Sequence, residues 1–130
     1  MDVTITVRDE VRPGTGEHTV VLRDIPAALT LRDLIRTRVR EEVAKANATA
    51  GEFRTLVQPV DAEVTLNGYR LPRGRIIDWE EQANKAEEAF LRNGFFVLVD
   101  GRQVEDLDED LELTADSEIR FVKLTPLVGG

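Results

Sequence analysis

Within the first third of the chain, apolar spacing changes from a period of two to one of about 3.6. That change restricts what the chain can fold into. Val3, Ile5 and Val7 alternate with Thr4 and Thr6, the pattern of a strand with one buried face. The loop RPGTGE follows, with Pro13, Gly14 and Gly16 as turn formers. HTVVL reads as a second strand, so the chain opens on a hairpin. Leu31, Leu34, Ile35, Val39 and Val43 then fall on one helical face. Thr30 is the expected N-cap, and Asp33 stands where the reciprocal partner of a capping box belongs. Leu29 and Leu34 are spaced for a hydrophobic staple. This helix is expected to end near Asn47.

The middle of the chain is less regular. TAGEFRTLVQPVDA has no clear period. Asn67-Gly68 between short apolar stretches suggests a hairpin turn, and PRGR marks a loop. DWEEQANKAEEAFLRNG reads as a second helix, with Asp78 as cap, acids in its first turn and Gly94 as terminator. Trp79, Ala83, Ala86 and Phe90 form its apolar stripe. FFVLVDGRQV reads as a strand, a turn at Asp100-Gly101 and a short partner strand. EDLDEDLELTADS reads as an acidic connection holding Leu107, Leu111 and Leu113. EIRFVKL is the final strand, with Ile119 and Phe121 on one face and Val122 and Leu124 off it. A helix crossing after an initial hairpin lets the first and last strands lie parallel in the centre of one sheet. The expected class is α+β, a sheet with a helix on one face. No internal repeat or linker divides residues 1–130, so one domain is expected.

Composition narrows the function classes. A formal charge of −8 argues against non-specific binding to nucleic acid or an anionic membrane, and suits a partner with a basic face. With no cysteine, disulfides, thiolate metal sites and a cysteine nucleophile are excluded, and the cytoplasm is the expected compartment. MDVTITVRDE has no basic leader or apolar signal core, and FFVLV is too short to cross a bilayer. The acidic run Glu105, Asp106, Asp108, Glu109, Asp110 lacks the spacing and central glycine of a calcium loop and reads as a solvated turn. Gly14 and Gly16 are not followed by the Gly-Lys-Ser/Thr of a phosphate loop. His18 is the sole histidine, which leaves a Ser-His-Asp triad with little support. Arg70, Arg73 and Arg75 read as solvated. No residue set resembles an enzyme's own active site; neither a metal centre nor a bound cofactor is expected.

Three stretches, LTLRDLI, FVLVDGRQVED and ADSEIRFVKLTPLVGG, give the chain its resemblance to the ubiquitin-like β-grasp superfamily. The likeness covers roughly residues 1–48 and 95–130. The proline shortly before Gly-Gly is most similar to prokaryotic members, namely the small subunit of molybdopterin synthase and the archaeal small modifiers. The resemblance implies a mixed sheet with a helix packed across it, a helix-containing insertion at 49–94, and a flexible reactive tail at 125–130. The insertion departs from the pattern of the sulfur carriers.

By the same resemblance, the Gly130 carboxylate is the reactive group. A partner activating enzyme would use ATP to convert it to an acyl-adenylate. Gly129 and Gly130 carry no side chain to block the approach of carboxylate to phosphate, and orientation of this kind can be worth about 7–11 kcal/mol. Pro126 fixes its own φ, holds Thr125 extended and offers no N–H for further strand pairing. Leu127 and Val128 can anchor the tail in a channel. The alternative is that LTPLVGG folds back into a groove of its own domain. Val122 and Leu124 match a partner-docking patch of relatives; the alternative is that the insertion buries them.

Three functions follow. The first is a small protein modifier transferred to a target amine to form an isopeptide bond. Its partners would be an activating enzyme, a conjugating enzyme, a deconjugating protease and target proteins. Three lysines against fourteen arginines would limit self-modification, although a GC-rich genome produces the same bias. The second is a sulfur carrier with a Gly130 thiocarboxylate, of the molybdopterin or thiamine type. The third is a non-covalent β-grasp interaction module.

Overall fold

Strands form where the alternation runs longest. The computed structural model describes residues 1–12, 17–49, 51–72 and 74–124. In it, β1 (Asp2–Arg12) and β2 (Glu17–Pro26) pair antiparallel. Ile5 and Val7 are buried while Thr4 and Thr6 are exposed. A three-residue β3 (Ala28–Thr30) leads directly into α1 (Leu31–Ala48). The capping box is present: Asp33 N–H donates to Thr30 Oγ1 at 3.1 Å, and Thr30 N–H reaches Asp33 Oδ2 at 3.5 Å. Further on lie β4 (Glu63–Val64), β5 (Tyr69–Arg70), α2 (Trp79–Leu91), β6 (Phe95–Val99), β7 (Arg102–Val104), β8 (Asp110–Glu112) and β9 (Ile119–Leu124).

The main sheet has five strands in the order β2-β1-β9-β6-β7. β1 and β9 are parallel neighbours, with Val7 opposite Ile119, and the other pairings are antiparallel. The protein is therefore α+β, with a mixed five-stranded sheet and two helices. Among the described residues no helix is long and apolar enough to cross a membrane. The chain forms two compact units. One takes Met1–Leu34 and the chain from Ala89 onward; the other takes Ile35–Glu88.

In the first unit, one sheet face is closed by Ile5, Val7, Val97, Ile119 and Phe121, all buried. Phe95 stacks on Phe121 with ring centres 5.8 Å apart and meets Phe90 at the same distance. The turn after β6 has Asp100 at φ 51° and Gly101 at φ 81°, the two left-handed positions of a type I′ hairpin. The acidic connection holds more order than its composition suggests. Its residues Asp110–Glu112 form β8, which pairs with β3 and sets Leu111 opposite Leu29. Leu107, Leu111 and Leu113 are buried, so the alternation there is that of a half-buried strand between solvated carboxylates. The terminator of α2 is Asn93 rather than Gly94. Asn93 sits at φ 61°, Gly94 N–H donates to Ala89 O at 2.7 Å, and Asn93 N–H to Phe90 O at 3.0 Å. That is a Schellman ending with asparagine in the left-handed position.

The second unit has little regular pairing. Its aperiodic stretch is tied down by side chains that reach backbone. Gln82 Nε2 and Thr55 Oγ1 each donate to Val57 O at 2.6 Å, and Lys85 Nζ donates to Gln58 O at 2.5 Å. Asn47 makes a two-way bridge to Ile77, at 2.8 Å to its N–H and 3.0 Å to its carbonyl. The Asn67-Gly68 hairpin forms, but β4 and β5 close with Val64 opposite Tyr69, so the loop spans residues 65–68. Gly68 is required there by close approach: an added Cβ would lie 2.1 Å from Phe53 O. A buried ion pair, Arg38 Nε to Glu42 Oε1 at 2.9 Å, sits on α1 one turn apart.

Candidate functional site

The tail residues Thr125, Pro126, Leu127, Val128, Gly129 and Gly130 lie outside the described residues. Their point of departure is described. β9 is the middle strand of five, and it is held on both sides up to its last residue. Leu124 lies opposite Arg12 of β1, its N–H donates to Gly94 O at 3.1 Å, and Lys123 lies opposite Phe95. Thr125 therefore follows directly from a position anchored in the sheet centre.

Val122 and Leu124 fall on the sheet face opposite Ile119 and Phe121, as their alternation requires. Val122 is half-buried, and Leu124 is 39% exposed. The ladder sets Val122 beside Phe96 and Glu10, and Arg120 beside Leu98 and Arg8. An apolar strip of Phe96, Leu98, Val122 and Leu124 thus crosses β6 and β9. Charged residues of β1 flank it. Glu10 takes Arg12 at 3.1 Å and Arg120 at 3.6 Å, so one carboxylate holds two guanidinium groups beside the strip. Phe96 and Leu98 were hidden in the sequence because FFVLV is apolar throughout. Only the strand pairing separates them from buried Phe95, Val97 and Val99.

The acidic run has structural partners. Arg32 pairs with Asp108 at 3.3 Å, and Arg102 with Glu109 at 2.5 Å. The Arg102 hydrogen bond holds the Glu109 carboxyl below its ordinary pKa. Among the described residues no group of three or more His, Cys, Asp or Glu side chains is placed to hold a metal ion. Of the basic cluster, Arg75 pairs with Asp61 at 3.5 Å, Arg70 lies opposite Glu63, and Arg73 lies outside the described residues.

The second unit offers two polar constellations. Trp79 takes cation–π contacts from Arg36 and Arg40, whose guanidinium carbons are 5.4 and 5.3 Å from a ring centre. Arg36 also donates to Glu87 at 2.6 Å and Asn84 at 3.1 Å. A shallow cleft of about 140 Å³ lies among Pro59, Val60, Leu71, Ile76 and Gln82. Of the acids around it, Asp61 is paired with Arg75 and Asp78 caps α2 through Glu80 N–H at 3.0 Å. Burial, and then the nearby Glu42 charge, push the Tyr69 hydroxyl above its ordinary pKa. These groups are engaged in holding the fold. Comparison with protein-family models, with curated proteins and with solved structures returned no match.

Proposed function

We propose that this chain is a ubiquitin-like β-grasp protein modifier whose Gly130 carboxylate is adenylated by a partner enzyme and transferred to a target amine. The observation that carries the reading is the placement of β9. A hairpin, a helix and a last strand parallel to the first at the sheet centre make the β-grasp order, and the sequence TPLVGG follows the anchored Leu124. The apolar strip around Val122 and Leu124 supports a partner surface beside the end of β9. The reading requires a mature chain ending on Gly130, which an intact mass checks.

The chemistry balances without any catalytic side chain from this protein. The Gly130 carboxylate oxygen attacks the α-phosphorus of ATP, pyrophosphate leaves, and an acyl-adenylate forms. A thiol of the handling enzymes displaces AMP, and a lysine amine of the target then displaces the thiol. The amine loses its proton to solvent as the isopeptide bond forms. Gly129 and Gly130 leave the carbonyl carbon unobstructed, and Pro126 reduces the ordering cost of about 1–2 kcal/mol per residue when the tail is bound.

The second reading, a thiocarboxylate sulfur carrier, is favoured by Pro126 alone. It shares the adenylation step; a sulfide-level sulfur donor then attacks the same carbon, and AMP leaves. Incubation with the cognate activating enzyme and ATP in cell lysate, which supplies target amines and a sulfur donor, separates the readings. A modifier gives protein adducts that survive reducing agent. A carrier gives the intact chain with one oxygen replaced by sulfur and no lasting adduct. Deleting Gly130, or appending residues after it, abolishes either product; a non-covalent module keeps its binding through both changes.

A further inference from the structure

The two outer strands of the sheet are built differently. β7 has three residues, and its Arg102 is engaged with Glu109. β2 has ten residues and keeps unbroken register with β1 from Glu17 to Leu22. Its one irregularity is a bulge at the far end, which begins at Arg23 and includes Asp24 at φ 53°. An outer strand presents one row of backbone N–H and C=O groups to a further strand, and proteins usually blunt such rows with brevity, lysine, proline or a bulge. Between Glu17 and Arg23, β2 has no lysine and no proline. It carries Thr19, Val20 and Val21 in sequence, with Val21 37% exposed.

We propose that β2 is a self-association surface, on which a second copy of the chain pairs antiparallel about a two-fold axis through Val20. In an antiparallel pair, opposed residues lie on the same sheet face. In this register Val20 opposes Val20, Thr19 opposes Val21, His18 opposes Leu22, and Glu17 opposes Arg23 of the second copy. The last pairing occurs twice, once at each end, and is opposite in charge. Glu17, Thr19, Val21 and Arg23 are all exposed. Sliding the register by one residue sets Glu17 against buried Leu22, on the wrong face. Sliding it by two leaves Glu17 and Arg23 without an opposite charge. The strand is therefore complementary to itself in one register, as an isologous interface requires. Glu17 already lies 3.0 Å from Arg8, so the incoming Arg23 completes a small exposed network.

Sedimentation of the full chain at rising concentration tests this. The wild type is expected to pass from 14.6 kDa to twice that mass. Arg23→Glu and Glu17→Arg, both at exposed positions, should each stay monomeric where the wild type is dimeric, because each opposes like charges at both ends. Mixed in equal amounts, the two variants become complementary and should dimerise again. A wild type that stays monomeric, a single variant that dimerises alone, or a mixture that stays monomeric overturns the proposal. Should a variant fail to fold, wild-type amide exchange decides. Slower exchange within Thr19–Leu22 at high concentration supports the pairing, and exchange independent of concentration overturns it.

Discussion

In the sheet unit, a backbone group of β9 finds its partner in the backbone of β1 or β6. In the unit Ile35–Glu88, the carbonyl of Val57 finds its partners in the side chains of Thr55 and Gln82, and Ile77 is satisfied by Asn47. Both arrangements meet the same demand, since buried backbone polar groups must be paired. They fail in different ways. A ladder does not depend on which side chains it carries, so the sheet unit is vulnerable mainly through its packed core. A tethered segment loses a backbone partner whenever one polar side chain is removed.

The largest effects should separate these modes. Phe121→Ala removes a fully buried ring that stacks on Phe95 and should cost about 3–5 kcal/mol, read as a lowered denaturation midpoint. Glu42→Leu removes the carboxylate 2.9 Å from buried Arg38 in the second unit and should cost up to a comparable amount, about 3–5 kcal/mol. The double change Arg38→Met/Glu42→Leu should recover most of that loss, because an apolar pair removes the cost of desolvating both charges. No second substitution of that kind restores Phe121→Ala, which leaves a cavity.

A middle tier tests the tethers. Asn47→Leu removes both bonds to Ile77 and should cost about 1–3 kcal/mol, with faster amide exchange at Ile77 than at residues of β9. Asn93→Ala places an ordinary side chain in the left-handed position that ends α2 and should cost about 1–2 kcal/mol; Asn93→Gly should be nearly neutral. A thermal melt of each variant measures both.

These contrasts also govern what could be read in the chain beforehand. Val3, Ile5 and Val7 announce their strand, and Thr30 with Asp33 announces the helix, because these signals are local. The parallel pairing of the first and last strands was legible through the opening hairpin and the helix that follows it, and the β6–β7 hairpin through the turn at Asp100-Gly101. β8 was not, since Leu111 between Asp110 and Glu112 acquires its partner only when β3 is placed beside it. The segment from Thr49 to Ala62 has no period to read, as its tethers run to backbone from α2, through Gln82 and Lys85, and from its own Thr55 and Gln58. Phe96 and Leu98 emerged as neighbours of Val122 only once β6 and β9 were paired.

The smallest expected effect concerns pH. Hydrogen bonding from Arg102 lowers the folded pKa of Glu109 below 4.5. Its contribution is therefore present above the ordinary carboxylate pKa and is lost as pH falls through the lowered folded value. A carboxyl titration by NMR should place Glu109 below an exposed glutamate, and Arg102→Gln should return it toward the ordinary value.

The central claim concerns the carboxylate at Gly130, and one measurement addresses it. Trypsin cuts after Lys123, so a protein modified by this chain would retain Leu-Thr-Pro-Leu-Val-Gly-Gly on a lysine side chain. Mass spectrometry of digested proteins from cells expressing the full chain should find lysines bearing that remnant, and none when Gly130 is deleted. Cells rich in the intact chain but free of such branched peptides would contradict the account.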